Sequence, residues 1–135
     1  MNMQKNLFDK YLVAGVTDVG SVRKHNEDNI LIDEALGLLL VADGMGGHQA
    51  GEVASAEAID IIHSSLKSRQ FDMSFRSWLA ELHNRFARGA VNINEKKIAL
   101  EKVLHEANKH LYQLNRERNA SNGGGMGTTI AGCWV

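Results

Sequence analysis

Two short clusters of ionisable residues carry the chemistry of this chain: Arg23-Lys24-His25-Asn26-Glu27-Asp28 and Asp43-Gly44-Met45-Gly46-Gly47. Between them, Asn29 to Ala42 reads as strand, polar turn, strand. A turn centred on Ala35 makes Glu27 and Asp43 cross-strand neighbours, with Cβ atoms roughly 5 Å apart if they share a face. Carboxylates that close repel unless a cation or a proton lies between them. Such an oxygen-rich corner suits hard ions such as Mg²⁺ or Mn²⁺. A register slip of one residue would change the face involved but not the end of the sheet. The plainer reading of Asp43 is a turn aspartate capping its own loop, common where a strand meets glycine. The second acidic cluster opposite it favours a metal.

The elements that position these groups follow from patterning. Tyr11 to Thr17 reads as a strand with Leu12, Ala14 and Val16 on one side, and Asp18 to Asp28 as a polar loop. Leu38 to Ala42 is apolar at every position, which predicts a central strand covered on both faces. Gly44 to Gly51 holds four glycines and reads as a backbone device rather than a packing element. A helix is predicted from Glu52 to Lys67, with Ser55, Ile59, Ile62 and Leu66 at helical spacing. A second is predicted from Ser74 to Arg88, with Phe75, Leu79, Leu82 and Phe86 on one face and Gly89 as its stop. A third is predicted from Glu95 to Glu117, with a seam of Leu100, Leu104, Ala107, Leu111 and Leu114. Asn119 to Gly125 reads as a loop and Thr128 to Val135 as a last strand. Strands grouped before helices point to an α+β fold.

With both clusters in place, the chain resembles the metal-dependent protein phosphatases, the type 2C-like serine/threonine phosphatases of bacterial type. That family carries Arg-x-x-Asn-Glu-Asp followed by Asp-Gly-Met-Gly-Gly or Asp-Gly-His-Gly-Gly. This sequence has both, together with Gly46-Gly47-His48-Gln49-Ala50-Gly51-Glu52-Val53-Ala54-Ser55 and the later Met126-Gly127-Thr128-Thr129. The resemblance covers Gly15 to Val135. It implies a β-sandwich of antiparallel sheets flanked by helices, a four-layer αββα arrangement of which this chain is the N-terminal part. Residues 1–10 would be a flexible N-terminus and 11–135 the first part of a single phosphatase domain. The family's domain continues past Val135 and draws further aspartates from that continuation, so the resemblance implies that this stretch alone is inactive.

The same resemblance implies roles. Asp43 would bridge two divalent ions, Mn²⁺ or Mg²⁺, and Gly44 would offer its backbone carbonyl to one of them. Glu27 and Asp28 would hold metal-associated waters, and second-shell groups of that kind tune acidity and geometry. Arg23 would hold phosphate, since its planar fork suits two phosphate oxygens at once. Asp43 and Arg23 would thus be the catalytic residues, for hydrolysis of phosphoserine and phosphothreonine in proteins by a metal-activated water. Implied partners are phosphoprotein substrates and a cognate serine/threonine kinase. Asn26 would organise its loop. Met45 departs from members with histidine there, a candidate proton donor, and His48 is a weak substitute. A lone loop arginine is usually just solvated, and Lys24 is read so. The remaining histidines read as surface or helix-face residues, and Thr128 and Thr129 as strand residues with no chemistry assigned.

Composition narrows the alternatives. Fifteen basic and sixteen acidic residues leave a net charge of −1, with no general pull toward nucleic acid or anionic membrane. The single cysteine, Cys133, excludes an internal disulfide and fits a reducing cytoplasm. Lying within a predicted strand near Val135, it lacks the following loop and arginine of a thiol phosphatase and reads as core. Met1 to Lys10 has no apolar core of a signal peptide, and no apolar run spans a bilayer. The third glycine of a dinucleotide fingerprint is missing, since Gln49 stands there, and no Walker-type Gly-Lys-Ser/Thr occurs. A non-catalytic module that keeps the fold without the chemistry is the alternative.

Overall fold

The interval between the two clusters folds as the hairpin its pattern predicts. A computed structural model describes residues 11–46, 50–83, 93–122 and 125–135, and within the helices the side chains of 50–69 and 96–118. Strands β1 (Asp28–Asp33) and β2 (Leu38–Met45) pair antiparallel, and β3 (Gly127–Trp134) pairs antiparallel on the other side of β2. Turn residues 34–37 close the hairpin. Gly37 takes a φ of +71°, a conformation that costs glycine nothing. The amide of Leu36 donates to Asp33 Oδ1 at 2.9 Å, so the aspartate ends β1 by capping the turn.

Two helices, α1 (Ala50–His83) and α2 (Ile93–Asn122), pack on one side of the sheet. Along β2 burial alternates: Leu38, Leu40, Ala42 and Gly44 face the helices, while Val41, Asp43 and Met45 are exposed. The helix-facing residues meet Ile59, Ile62 and Leu66 of α1 and Val103 and Ala107 of α2 in one core cluster. Leu38, Ile62, Leu66 and Val103 are fully buried. Each such burial stabilises the fold by about 2 kcal/mol relative to exposure. A second cluster of Ala50, Ala54, Ala58, Leu111 and Met126 lies nearer the acidic end of the sheet. The far end is closed differently. Trp134 Nε1 donates to the Leu36 carbonyl at 3.0 Å, and Lys96 Nζ stands 5.0 Å from the Trp134 ring centroid.

The α+β class holds, and four expectations about the elements do not. Tyr11–Thr17 forms no strand: Leu12 is 100% and Val16 91% exposed, and no described residue offers that stretch a ladder. It nonetheless passes close to β1, since a Cβ on Gly15 would lie 2.9 Å from Ile30 Cδ1. Second, β2 is central as expected but buried on one face only, with Val41 52% exposed. An all-apolar strand records what both faces are suited to, not what covers them. Third, the predicted break between Lys67 and Ser74 is absent, and α1 runs unbroken to His83. Nothing from Ser68 to Met73 is proline or glycine, so nothing ends the helix there. The side chains expected on the face of the second helix, and Gly89, lie outside the described residues. Fourth, α2 continues through Asn119–Asn122, which patterning assigned to a loop. Its buried stripe is Val103, Ala107 and Leu111, with Leu104 turned 43% exposed. Residues 1–10 and His48 also lie outside the described set. Among the described residues no helix is long and apolar enough to cross a membrane.

Candidate functional site

Asp43 is the penultimate open-face residue of β2, and the structure pairs it with Asp28 rather than Glu27. The turn has four residues, so the hairpin's centre falls between Ala35 and Leu36 and the register moves by one position. Directly paired residues share a face, with Cβ atoms about 5 Å apart. Asp28 and Asp43 therefore stand side by side on the open face of the sheet, where Thr129 of β3 also pairs with Asp43. Asp43 is exposed and Asp28 half-buried, so the pair can be reached from solvent.

Glu27 takes a different position. Its carbonyl accepts the Gly44 amide at 3.1 Å, which places it opposite Gly44 and on the helix side of the strand. Its side chain runs along the start of α1: a Cβ on Gly51 would lie 2.7 Å from Glu27 Cδ and 2.9 Å from the Gly44 carbonyl carbon. Gly44 and Gly51 thus let strand and helix backbones approach where no side chain fits, and the Glu27 carboxylate lodges beside the first turn of α1. A carboxylate there is favoured by the exposed amides of a helix N-terminus. The three carboxylates sit at one end of the sheet, two on the open face and one at the helix seam.

Ser55 holds this corner together. Its fully buried hydroxyl donates to the Glu27 carbonyl at 2.6 Å, with the Glu52 carbonyl at 3.1 Å as a second acceptor. It accepts from Asn29 Nδ2 at 3.0 Å. Sequence patterning placed Ser55 on the apolar seam of α1 and assigned it no further role. A hydroxyl in an otherwise apolar seam was the signal available.

The loop before β1 is ordered by Asn26, as expected. Its Oδ1 accepts the Asp28 amide at 3.0 Å and its Nδ2 donates to Thr17 Oγ1 at 2.8 Å. Farther back, the Gly20 amide donates to Asp18 Oδ1 at 2.7 Å. Arg23 lies in this loop, exposed and with no ion pair among the described residues, so its guanidinium stands available to an anion. Met45 is 66% exposed two positions beyond Asp43 on the same face. It lies over Gly127, where a Cβ would stand 3.2 Å from Met45 Cε. Thr128 donates to the Asp43 carbonyl at 3.0 Å and so ties β3 to the acidic corner.

Two histidines have partners away from this corner. His63 Nε2 lies 2.7 Å from Asp33 Oδ2, and His110 Nε2 lies 2.9 Å from Glu57 Oε2. Hydrogen bonding from His63, then from the Leu36 amide, holds the Asp33 carboxyl below its ordinary value. Cys133, expected in the core, is instead exposed on the open face, opposite Leu39, because β3 has no cover there among the described residues. Among the described residues no group of three or more histidine, cysteine, aspartate or glutamate side chains could by itself enclose a metal ion. What the corner offers is two adjacent carboxylates, both hard oxygen donors. That is a partial set for an octahedral cation, whose other ligands would be water or groups outside the described residues.

Comparison with known proteins finds serine/threonine phosphatases. No protein-family model matches the chain. The serine/threonine phosphatase stp of Listeria monocytogenes serotype 4b is 32% identical over 117 residues, which is 84% of this chain and 38% of that protein. A structure of the S. agalactiae serine/threonine phosphatase superposes with a TM-score of 0.62 at 25% identity, covering 89% of this chain and 42% of that one. The structure of PppA, a key regulatory component of T6SS in Pseudomonas aeruginosa, gives a TM-score of 0.59 at 30% identity, covering 87% and 40%. The chain therefore spans about two-fifths of the length of the relatives it matches.

Proposed function

Because this chain belongs to the metal-dependent, type 2C-like protein phosphatase family, we propose that the protein it represents hydrolyses phosphoserine and phosphothreonine in phosphoproteins with Mn²⁺ or Mg²⁺. The observation that carries this is the pairing of Asp28 with Asp43 on the sheet face away from the helices. Two carboxylates held so close gain from a shared cation. The Asp43 carboxylate, the Gly44 carbonyl and the Asp28 carboxylate would hold the ions. The Glu27 carboxylate, on the helix side, would order water at their edge. Divalent ions bound there supply Lewis acidity toward water and toward phosphoryl oxygen.

This chain's own groups do the rest. Arg23, exposed and with no ion pair among the described residues, presents a fork of N–H donors to the phosphoryl oxygens and offsets their charge. The Asn26 and Ser55 hydrogen bonds fix the backbones that carry the Asp28 and Glu27 carboxylates. Met45 offers no proton to a leaving alkoxide, so that proton comes from solvent or from a group outside the described residues. Residues 11–135 serve as the first part of a single phosphatase domain, and the protein works in the cytoplasm opposite a serine/threonine kinase.

Hydrolysis of a phosphothreonine peptide by the full-length protein, followed as phosphate release with and without Mn²⁺, tests the reading. Metal-dependent turnover that is lost in Asp43→Asn supports it. No turnover at saturating Mn²⁺ with intact fold would favour a non-catalytic module.

A further inference from the structure

Asn115 occupies the next place along the buried stripe of α2, four residues after Leu111, where an apolar side chain would be the ordinary choice. Its amide instead takes both backbone groups of a single residue. Nδ2 donates to the Met126 carbonyl at 2.7 Å, and Oδ1 accepts the Met126 amide at 2.8 Å. This is the two-bond exchange that a neighbouring strand would make, performed by one side chain. Met126 is the residue just before β3, and its own side chain is 5% exposed, packed with Ala50, Ala54, Ala58 and Leu111. Arg118 Nη1 lies 3.4 Å from the Met126 sulfur.

The point so held decides how β3 meets the acidic corner. From Met126 the chain passes to Gly127 opposite Met45, Thr128 opposite Gly44 and Thr129 opposite Asp43. A slip of one residue would turn every β3 side chain to the other face. It would also put a side chain where Gly127 now lies 3.2 Å, by its absent Cβ, from Met45 Cε. It would break the Thr128 hydroxyl bond to the Asp43 carbonyl, whose peptide leads into Gly44.

We propose that Asn115 is a positioning residue: by clamping the Met126 backbone it sets the register of β3 and thereby the placement of the Asp43–Gly44 corner for cation binding. The cation part rests on the metal reading given above, while the register part stands on the hydrogen bonds alone.

The test uses full-length protein, wild type, N115A and the milder N115S, whose hydroxyl is too short to span both backbone groups. V103A serves as a comparison that destabilises the shared core without touching Met126. Hydrogen exchange reads the register: N115A should speed exchange of the Met126 to Thr129 amides while Leu40 stays protected. Titration with Mn²⁺ alone reads the corner: loss of such an outer support should weaken binding about tenfold, with V103A unchanged. Exchange at Met126 to Thr129 equal to wild type overturns the inference. So does equal weakening of Mn²⁺ binding by N115A and V103A, or none by N115A. If N115A does not fold, N115S is read by the same criteria. Wild-type protein that binds no Mn²⁺ would sink the metal reading and with it the cation part. The exchange measurement would still decide the register.

Discussion

Asp28 stands directly across the ladder from Asp43, on a face of the sheet that the two helices leave open. Two like charges held in rigid neighbouring strands are an electrostatic cost that side-chain rotation relieves only in part. Neutralising one of them should therefore do opposite things to stability and to activity. In the full-length protein, Asp43→Asn should leave the melting temperature without metal unchanged or slightly raised. It should also abolish Mn²⁺-dependent hydrolysis of an aryl phosphate, because an amide carries no charge and cannot bridge cations. Activity within about twofold of wild type at saturating Mn²⁺ would remove Asp43 from the site.

Arg23 should separate phosphate binding from metal binding. A charge-assisted bidentate contact contributes about 2 kcal/mol, or roughly 30-fold in binding. Arg23→Ala should raise KM for a phosphopeptide by about that factor, with the Mn²⁺ activation constant little changed. An unchanged KM with a large shift in the metal constant would contradict the assignment.

Gly51 sets two effects against each other. In a helix, alanine is favoured over glycine by about 1 kcal/mol. Here the new Cβ would meet Glu27 Cδ at 2.7 Å and the Gly44 carbonyl carbon at 2.9 Å, and the second of these is backbone that does not swing away. Overpacking of that kind costs about 1–3 kcal/mol, so the steric cost should win. Gly51→Ala is expected to lower stability in urea and to weaken Mn²⁺ binding together. A stabilised variant would show that α1 and β2 are not in close contact there.

Ser55→Ala removes a donor and an acceptor at once. The Asn29 amide loses its bond to the hydroxyl, and the Glu27 carbonyl keeps only Gly44. Stripping a buried polar cluster of its centre should cost about 1–3 kcal/mol. Equilibrium urea unfolding gives the number, and a change below about 0.5 kcal/mol would mean water replaces the hydroxyl without penalty.

Asp33 supplies a pH test with a definite sign. Its folded pKa lies below the ordinary 3.8, first because of the His63 hydrogen bond and then the Leu36 amide. A depressed carboxyl stabilises the fold above the unfolded value, and that contribution fades as pH falls through the folded value. Asp33→Asn should therefore be less stable than wild type near neutrality, with the gap closing below pH 3.8. Melting curves from pH 6 down to pH 2.5 would show it, and a gap that stays constant would contradict the pairing.

The candidate groups were legible from local order along the chain. Both acidic clusters, the hairpin between them and the seam of Ile59, Ile62 and Leu66 rest on spacings within one element or across one turn. Such spacings survive whatever the rest of the fold does, because strand and helix periods are backbone properties. The turn's length was the first thing they did not settle. A four-residue turn instead of one centred on Ala35 exchanged Glu27 for Asp28 as the partner of Asp43, since side chains alternate at every step.

What only the tertiary structure decided involves distant segments meeting. Val103 rather than Leu104 faces the core because α2 is rotated to suit α1 and the sheet, a choice among neighbouring positions that its own periodicity leaves open. Glu27 lies along the start of α1 because Gly44 and Gly51, seven positions apart, bring two backbones together. Asn115 clamps Met126 across eleven positions of chain, and no pattern within α2 marks it as more than a polar interruption. The sequence by itself determined which groups are available and which end of the sheet they reach. Their partners were decided by packing, because a hydrogen bond between remote residues depends on where whole elements come to rest.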